Sequence, residues 1–215
     1  KNWCFKWIIF VCRSGLLYLI DCHTKKTISY NMLGKIKYFL LIMIMSFFST
    51  NVAANYDKLA YDFNFNDLDG SPLNLAEYKG KVIIVVNVAS QCGFTKQYED
   101  MQKVWEKYQV KGVIMLGVPS NDFGSQEPGS NEEIKDFCEA KFGINFPMTE
   151  KVSVKGENAH PFYLWAKKNH GKSAIPKWNF HKIMIGKNGK VVDTFASITN
   201  PSSKKFIIAL EEALN

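Results

Sequence analysis

From residue 57 onward the apolar positions switch between two spacings. Phe63 and Phe65 alternate with polar neighbours and Asp69-Gly70 marks a turn, so a short hairpin is predicted there. Lys81 to Val88 (KVIIVVNV) is a β-branched run with almost no polar break, the pattern of a strand buried on both faces. In Thr95 to Tyr108 the large residues Met101, Val104, Trp105 and Tyr108 recur at helical spacing. Val113 to Val118 (VIMLGV) repeats the buried-strand pattern. A helix capped by Asn131 is predicted to run to about Phe142, with Glu132 and Glu133 where the helix dipole favours them. A shorter helix covers Pro161 to Lys168. Phe180 to Ile185 and Val191 to Phe195 are predicted strands joined through Gly186-Lys187-Asn188-Gly189, whose Asn-Gly is a hairpin signal. Pro201 opens a last helix over Ser202 to Leu214.

The resulting order is β-α-β-α-(α)-β-β-α. Two buried strands joined by a crossover helix must be parallel, and the closing hairpin adds antiparallel strands. The expected fold class is therefore α/β and thioredoxin-like, a central mixed sheet flanked by helices.

Residues 1–56 read differently. Met32 resembles a start, Lys35 and Lys37 a basic head, Tyr38 to Phe48 an apolar run, and Val52-Ala53-Ala54 a small-residue cleavage site. That run is shorter than the about 20 residues a membrane span needs. The expected organisation is a targeting leader over 1–56, signal-peptide-like from about 32, and one domain over 57–215; a signal anchor is the alternative. A second apolar stretch at 5–20, broken by Arg13, belongs to a longer targeting sequence or to upstream sequence. The expected compartment is the secretory route or a plastid-like organelle, and a downstream start would leave a cytosolic form.

Charge adds one point. The chain has 215 residues and a net charge of +7. Residues 1–56 hold seven Lys or Arg against one Asp, leaving the domain with twenty Lys against nineteen acids, a net +1. No basic stripe suited to nucleic acid is visible. Of five cysteines only Cys92 and Cys138 lie in the domain, too few for a disulfide scaffold, and the scattered histidines form no zinc pattern.

Cys92 follows the first buried strand, with Gly93 next and a helix close behind. A strand-to-helix turn lifts a side chain to the sheet edge and offers it unpaired helix N–H groups, an environment that favours thiolate over thiol. The alternative is a buried inert cysteine. Three separated blocks bear on that choice: Asn-Val-Ala-Ser-Gln-Cys-Gly-Phe-Thr at 87–95, Pro-Ser-Asn-Asp-Phe-Gly-Ser-Gln-Glu-Pro-Gly at 119–129, and Trp-Asn-Phe-His-Lys at 178–182. In this order they resemble the signature blocks of the glutathione peroxidase family. The resemblance spans nearly all of 57–215 and includes Leu68-Asp69-Gly70 and Val154-Lys155-Gly156.

The resemblance implies a peroxide-reducing enzyme with Cys92, Gln126, Trp178 and Asn179 around the peroxide. The residue types suit that chemistry, since two amides and an indole offer N–H donors that add no titrating base and can stabilise charge on a leaving oxygen. For Trp178 the alternative is core packing, for Gln126 a surface loop. Ser120 and Asp122 depart from the family's usual Cys and Gln at these places. Cys138 is similar to the resolving cysteine of thioredoxin-dependent members; the alternative is packing, since Ile134, Phe137, Cys138 and Phe142 share a helical face. If it resolves, its helix is expected to unwind locally, because a disulfide needs Cα atoms within about 7 Å. His181 is read as a surface residue.

No cofactor and no metal are implied. The co-substrates are a hydroperoxide, hydrogen peroxide or a lipid hydroperoxide, and thioredoxin or a similar redoxin, with glutathione as the competing reductant. The short connection from His170 to Lys177 lacks the insertion of tetrameric members, which implies an open site and a monomer. The domain contains no Arg, which argues against a basic glutathione pocket. Two further readings remain: a peroxide sensor that passes oxidation to a partner protein, and a binding module with inert thiols.

Overall fold

The computed structural model describes the backbone of residues 8–11, 17–20 and 27–30, and residues 56–215 in full. The chain divides into two units, Lys1–Ala53 and Ala54–Asn215. In the first, β1 (Ile8–Val11), β2 (Leu17–Ile20) and β3 (Thr27–Tyr30) form an antiparallel sheet in that order. The apolar stretch at 5–20 thus contributes two strands. The run at 38–48 and the small residues at 52–54 lie outside the described residues.

The second unit begins with β4 (Asn64–Asn66) and β5 (Pro72–Asn74), paired antiparallel. Their turn is closed by Asp67, whose Oδ1 accepts the N–H groups of Asp69 (2.9 Å) and Ser71 (2.8 Å). Next come β6 (Val82–Val88), α1 (Gln97–Tyr108), β7 (Val113–Pro119), α2 (Asn131–Phe142) and α3 (Pro161–His170). The chain closes with β8 (Lys182–Ile185), β9 (Val191–Phe195) and α4 (Lys204–Leu214).

The main sheet has the order β7-β6-β8-β9. β6 and β7 are parallel over seven pairs, from Val82↔Val113 to Val88↔Pro119, as two strands joined by a crossover helix must be. β8 lies antiparallel to β6 and β9 antiparallel to β8. Successive strand residues point to opposite faces, and two apolar clusters follow that alternation. Ile83, Val85, Leu116 and Ile183 pack with Phe162 and Trp165 of α3 and with Phe63 and Phe65. Val82, Ile84, Met115 and Met184 pack with Met101 and Val104 of α1, Phe206 of α4 and Ile134 and Cys138 of α2. Covering both faces explains why β6 and β7 are buried at every position. Each such Val, Ile or Leu contributes about 1.5–3 kcal/mol of burial.

Local signals place the ends of α2. Ser130, not Asn131, is the cap: its Oγ accepts the Glu133 N–H at 3.2 Å, and its own N–H donates to Glu133 Oε2 at 2.7 Å. The Asn131 amide instead accepts the Lys151 N–H at 3.0 Å. Gly143 ends the helix with φ 61°, and the N–H groups of Gly143 and Ile144 cap its last carbonyls.

Candidate active site

Three segments meet at the carboxyl end of β6. The first is the turn 89–96, which carries Cys92 between β6 and α1. Thr95 shapes it: its Oγ1 accepts the Cys92 N–H at 3.0 Å and lies 2.8 Å from the Ala89 carbonyl and 2.7 Å from that of Cys92. The turn bends the chain back so that the Phe94 N–H donates to Cys92 Sγ at 3.4 Å. The cysteine is a free thiol, 8% exposed.

The second segment is the loop after β7. Gly124 (φ 65°) and Ser125 (φ 52°) are both left-handed, which turns Gln126 back toward the sheet. For serine that conformation costs about 1–3 kcal/mol, so the surroundings must hold it. They do so from both sides. Asn121 Oδ1 accepts the Glu127 N–H at 2.8 Å. Asp122 Oδ2 accepts the N–H groups of Val154 (2.6 Å) and Lys155 (3.1 Å) and the Ser153 hydroxyl (3.0 Å). The Asp at this departure from the family pattern thus ties the loop to 153–155, and Ser120 is a small, fully buried side chain.

The loop is also stapled to the cysteine turn at two points. The Gln91 N–H donates to the Gln126 carbonyl at 3.0 Å, and the Ser90 N–H donates to Glu127 Oε2 at 2.9 Å. Glu127 is 1% exposed; burial raises its pKa, while the Ser90 N–H and Lys151 oppose the rise. Lys151 Nζ donates to the carbonyls of Glu127 (3.2 Å) and Gly129 (2.6 Å).

The third segment carries Trp178 and Asn179 just before β8. Asn179 is fully buried, and its Nδ2 donates to Gln126 Oε1 at 3.0 Å and to the Phe123 carbonyl at 3.4 Å. Its Oδ1 is buried without a partner among the described residues. Trp178 is 40% exposed, with its ring 5.9 Å from that of Phe123. Because Asn179 occupies Gln126 Oε1, the Gln126 amide N–H groups and the Trp178 indole N–H are the donors left to offer.

The structure therefore gathers Gln126, Trp178 and Asn179 directly, and joins Cys92 to them through the backbone of its turn. Cys138 is not in this group. It sits in the middle of α2, 1% exposed, and burial first of all, with the Glu127 and Glu139 charges adding, pushes its thiol up to about 11 against a lowering contact from Tyr98. The Tyr98 hydroxyl faces it, fully buried and with no other partner among the described residues. Two cavities of about 400 Å³ flank α2: one lined by Cys138, Lys135, Leu73 and Phe146, the other by Ile134, Phe137, Ser90 and Gln91.

His181 corrects the sequence reading. It is 6% exposed, not a surface residue, and burial with the nearby Lys182 and Lys177 charges lowers its pKa to about 4. Alternation had assumed one wet face, whereas β8 lies between β6 and β9 with both faces covered. Lys182 was also missed. It is fully buried and lowered by burial to about 7, and its Nζ reaches Gln97 Oε1 (2.5 Å) and the Thr199 carbonyl (2.7 Å). Gln97 is the first residue of α1, so this cluster fixes the helix end behind Cys92. Among the described residues no cluster of His, Cys, Asp and Glu suits a metal ion.

Comparison with known proteins agrees with this geometry. Residues 60–167 match the family model described as Glutathione peroxidase. The chain is 44% identical over 158 residues to the hydroperoxy fatty acid reductase gpx1 of Synechocystis, covering 70% of this chain and 94% of that protein. It is 46% identical over 147 residues to the glutathione peroxidase-like peroxiredoxin 2 of Saccharomyces cerevisiae, covering 66% of this chain and 90% of that one. Among solved structures, the apo form of Trgpx superimposes with a TM-score of 0.59 at 36% identity, over 74% of this chain and 96% of its own. With a thioredoxin-like domain, a cysteine at the strand-to-helix turn and these relatives, the chain belongs to the glutathione peroxidase family.

Proposed function

We propose that the protein is a thiol peroxidase in which Cys92 is the peroxide-attacking residue. The Cys92 thiolate attacks one peroxide oxygen: an S–O bond forms as the O–O bond breaks. The departing alkoxide takes a proton and leaves as ROH, and Cys92 becomes a sulfenic acid. The N–H groups of Gln126 and Trp178 stabilise charge on the sulfur and on the departing oxygen, while Asn179 holds Gln126 in the orientation that offers them. One observation carries this reading: the acceptor end of Gln126 is consumed by Asn179 at 3.0 Å, while the backbone of Gln126 is bonded to the residue preceding Cys92.

Cys138 is proposed as the resolving thiol. It forms an S–S bond to Cys92, the S–O bond breaks, and water leaves; a dithiol such as thioredoxin then supplies two electrons. The step requires α2 to open. Opening must undo the packing of Ile134 and Cys138 against the core, and the two flanking cavities leave room beside the helix for a displaced turn. The burial of Cys138 favours the competing reading, a one-cysteine enzyme reduced by glutathione. We further propose that the domain acts as a monomer on hydrogen peroxide and lipid hydroperoxides, and that the segment before it is a targeting leader.

The test is NADPH consumption with peroxide and either a thioredoxin or a glutathione recycling system, using wild type, Cys92→Ser and Cys138→Ser. Turnover with thioredoxin that either substitution stops supports two cysteines. Turnover with glutathione that survives Cys138→Ser makes Cys138 a packing residue. Turnover that survives Cys92→Ser sinks the proposal.

A further inference from the structure

β6 is buried at all seven positions, and one of the seven, Asn87, is polar. Burying an amide without partners costs about 1–3 kcal/mol per unmet group, so its place in a run of Val and Ile needs a reason. The reason lies across the sheet. The β6–β8 ladder is regular from Ile83↔Ile185 to Val86↔Lys182 and then breaks. At the next level Asn87 faces two residues rather than one. Its N–H donates to the His181 carbonyl at 3.3 Å, and its carbonyl accepts the Phe180 N–H at 2.6 Å. Two residues against one is a β-bulge, and its first residue, Phe180, has φ 62°, a left-handed conformation that glycine usually fills.

The bulge leaves two backbone groups outside the ladder, the buried His181 N–H and the part-buried Trp178 carbonyl. The Asn87 side chain satisfies both. Its Oδ1 accepts the His181 N–H at 3.1 Å, and its Nδ2 donates to the Trp178 carbonyl at 3.1 Å. The Phe180 ring pins the turn from the other side, fully buried and edge-on to Tyr98 with centroids 5.4 Å apart. Between these anchors the chain leaves the sheet, and Asn179 meets Gln126 there.

We propose that Asn87 is a positioning residue of the peroxide site, whose side-chain amide bridges Trp178 and His181 across the bulge and so sets where Trp178 and Asn179 stand relative to Cys92. It rests on the reading of Trp178 and Asn179 as parts of that site. Only a side chain with one donor and one acceptor at this length closes the bridge. Asp keeps the acceptor but lacks the donor, and Val has neither. Asn87 is itself on β6, the strand that leads into the Cys92 turn, so the bridge ties both halves of the site to one rigid element.

The experiment uses Asn87→Val, Asn87→Asp, Asn179→Ala and the Asn87→Val/Asn179→Ala double variant. Two quantities are read: amide exchange at Phe180 and His181, and the second-order rate constant of Cys92 oxidation by hydrogen peroxide in stopped flow. In Asn87→Val the His181 amide should exchange about tenfold faster or more, while that of Phe180, bonded to backbone, changes little. The oxidation rate should fall about tenfold or more in Asn87→Val and in Asn179→Ala, and the double variant should be no more than about twofold below the slower single one. Asn87→Asp, which keeps the volume, should lose rate while His181 stays protected, so the prediction survives if the Val variant fails to fold. Losses that multiply in the double variant, or an unchanged rate in both Asn87 variants, overturn the inference. An Asn179→Ala variant that oxidises at the wild-type rate instead overturns the site reading and the inference with it.

Discussion

The two cysteines of the domain have opposite surroundings. Cys92 sits in a turn beyond a strand, where a backbone N–H is free to donate to its sulfur at 3.4 Å and the loop after β7 is bonded to its two preceding neighbours. Cys138 sits inside α2, where the helix consumes the backbone N–H groups, and burial holds its thiol protonated up to about 11. On the proposed reading, backbone geometry separates the two before any side chain is considered. A turn at a helix start leaves donors over; a helix interior leaves none. Each cysteine lies against the same apolar cluster, so packing alone does not separate them.

The comparison breaks first at Cys92. Replacing it with Ser should lower peroxide turnover by more than about a thousandfold, measured by consumption of hydrogen peroxide, because Cys138, the other thiol of the domain, is buried and pushed up to about 11. The donor loop comes next. Gln126→Ala should slow Cys92 oxidation by about a hundredfold, the scale of losing one preorganised donor, with little change in melting temperature. Equal melting and equal rate would show that the loop shapes the rim and not the chemistry. Cys138→Ser sharpens the contrast from the other side. Oxidation of Cys92 should stay within about twofold of wild type, while turnover with thioredoxin falls about a hundredfold or more. In native protein at pH 7, iodoacetamide should label Cys92 and leave Cys138 unlabelled until the chain is denatured. With its thiol near 11, Cys138 is ionised in only about one molecule in ten thousand.

Much of this contrast was legible in the residues. The unbroken apolar runs gave β6 and β7 and their parallel pairing, and helical spacing gave α1 and α2 to within two residues. The turn holding Cys92 followed from strand, glycine and helix in succession. What was hidden depends on neighbours distant in sequence. The pattern predicts β8 from Phe180, yet the ladder starts at Lys182 because the bulge opposite Asn87 intervenes. His181 looked exposed because alternation says nothing of which faces are covered. Glu127 and Lys182, a buried acid and a buried base, carry no mark of burial in the residue pattern, because the Ser90 N–H and the Gln97 amide that meet them are distant in sequence. Asp122 looked like a disturbance of the family pattern, and only the backbone of 153–155 explains it. The strands in the first unit had no counterpart in the leader reading.

The smallest expected effect tests the premise of the contrast, that Cys138 stays buried in the resting protein. Its thiol is raised from 9.0 to about 11 on folding. Below pH 9 it is protonated in both states and contributes nothing that depends on pH. Between pH 9 and 11 the unfolded chain loses this proton while the folded chain keeps it, so the unfolded state gains and stability falls as pH rises. The loss approaches about 2 kcal/mol near pH 11. Cys138→Ala removes it. The stability difference between wild type and Cys138→Ala, from urea unfolding, should be flat from pH 7 to 8.5 and should then shift against the wild type by about that amount. Taking the difference cancels Lys182, whose lowered pKa acts oppositely, stabilising the fold as pH rises from about 7. A difference that stays constant through pH 11 would mean that Cys138 ionises as readily folded as unfolded. α2 would then be open much of the time, and the two cysteines would differ in their backbone but not in their access to water.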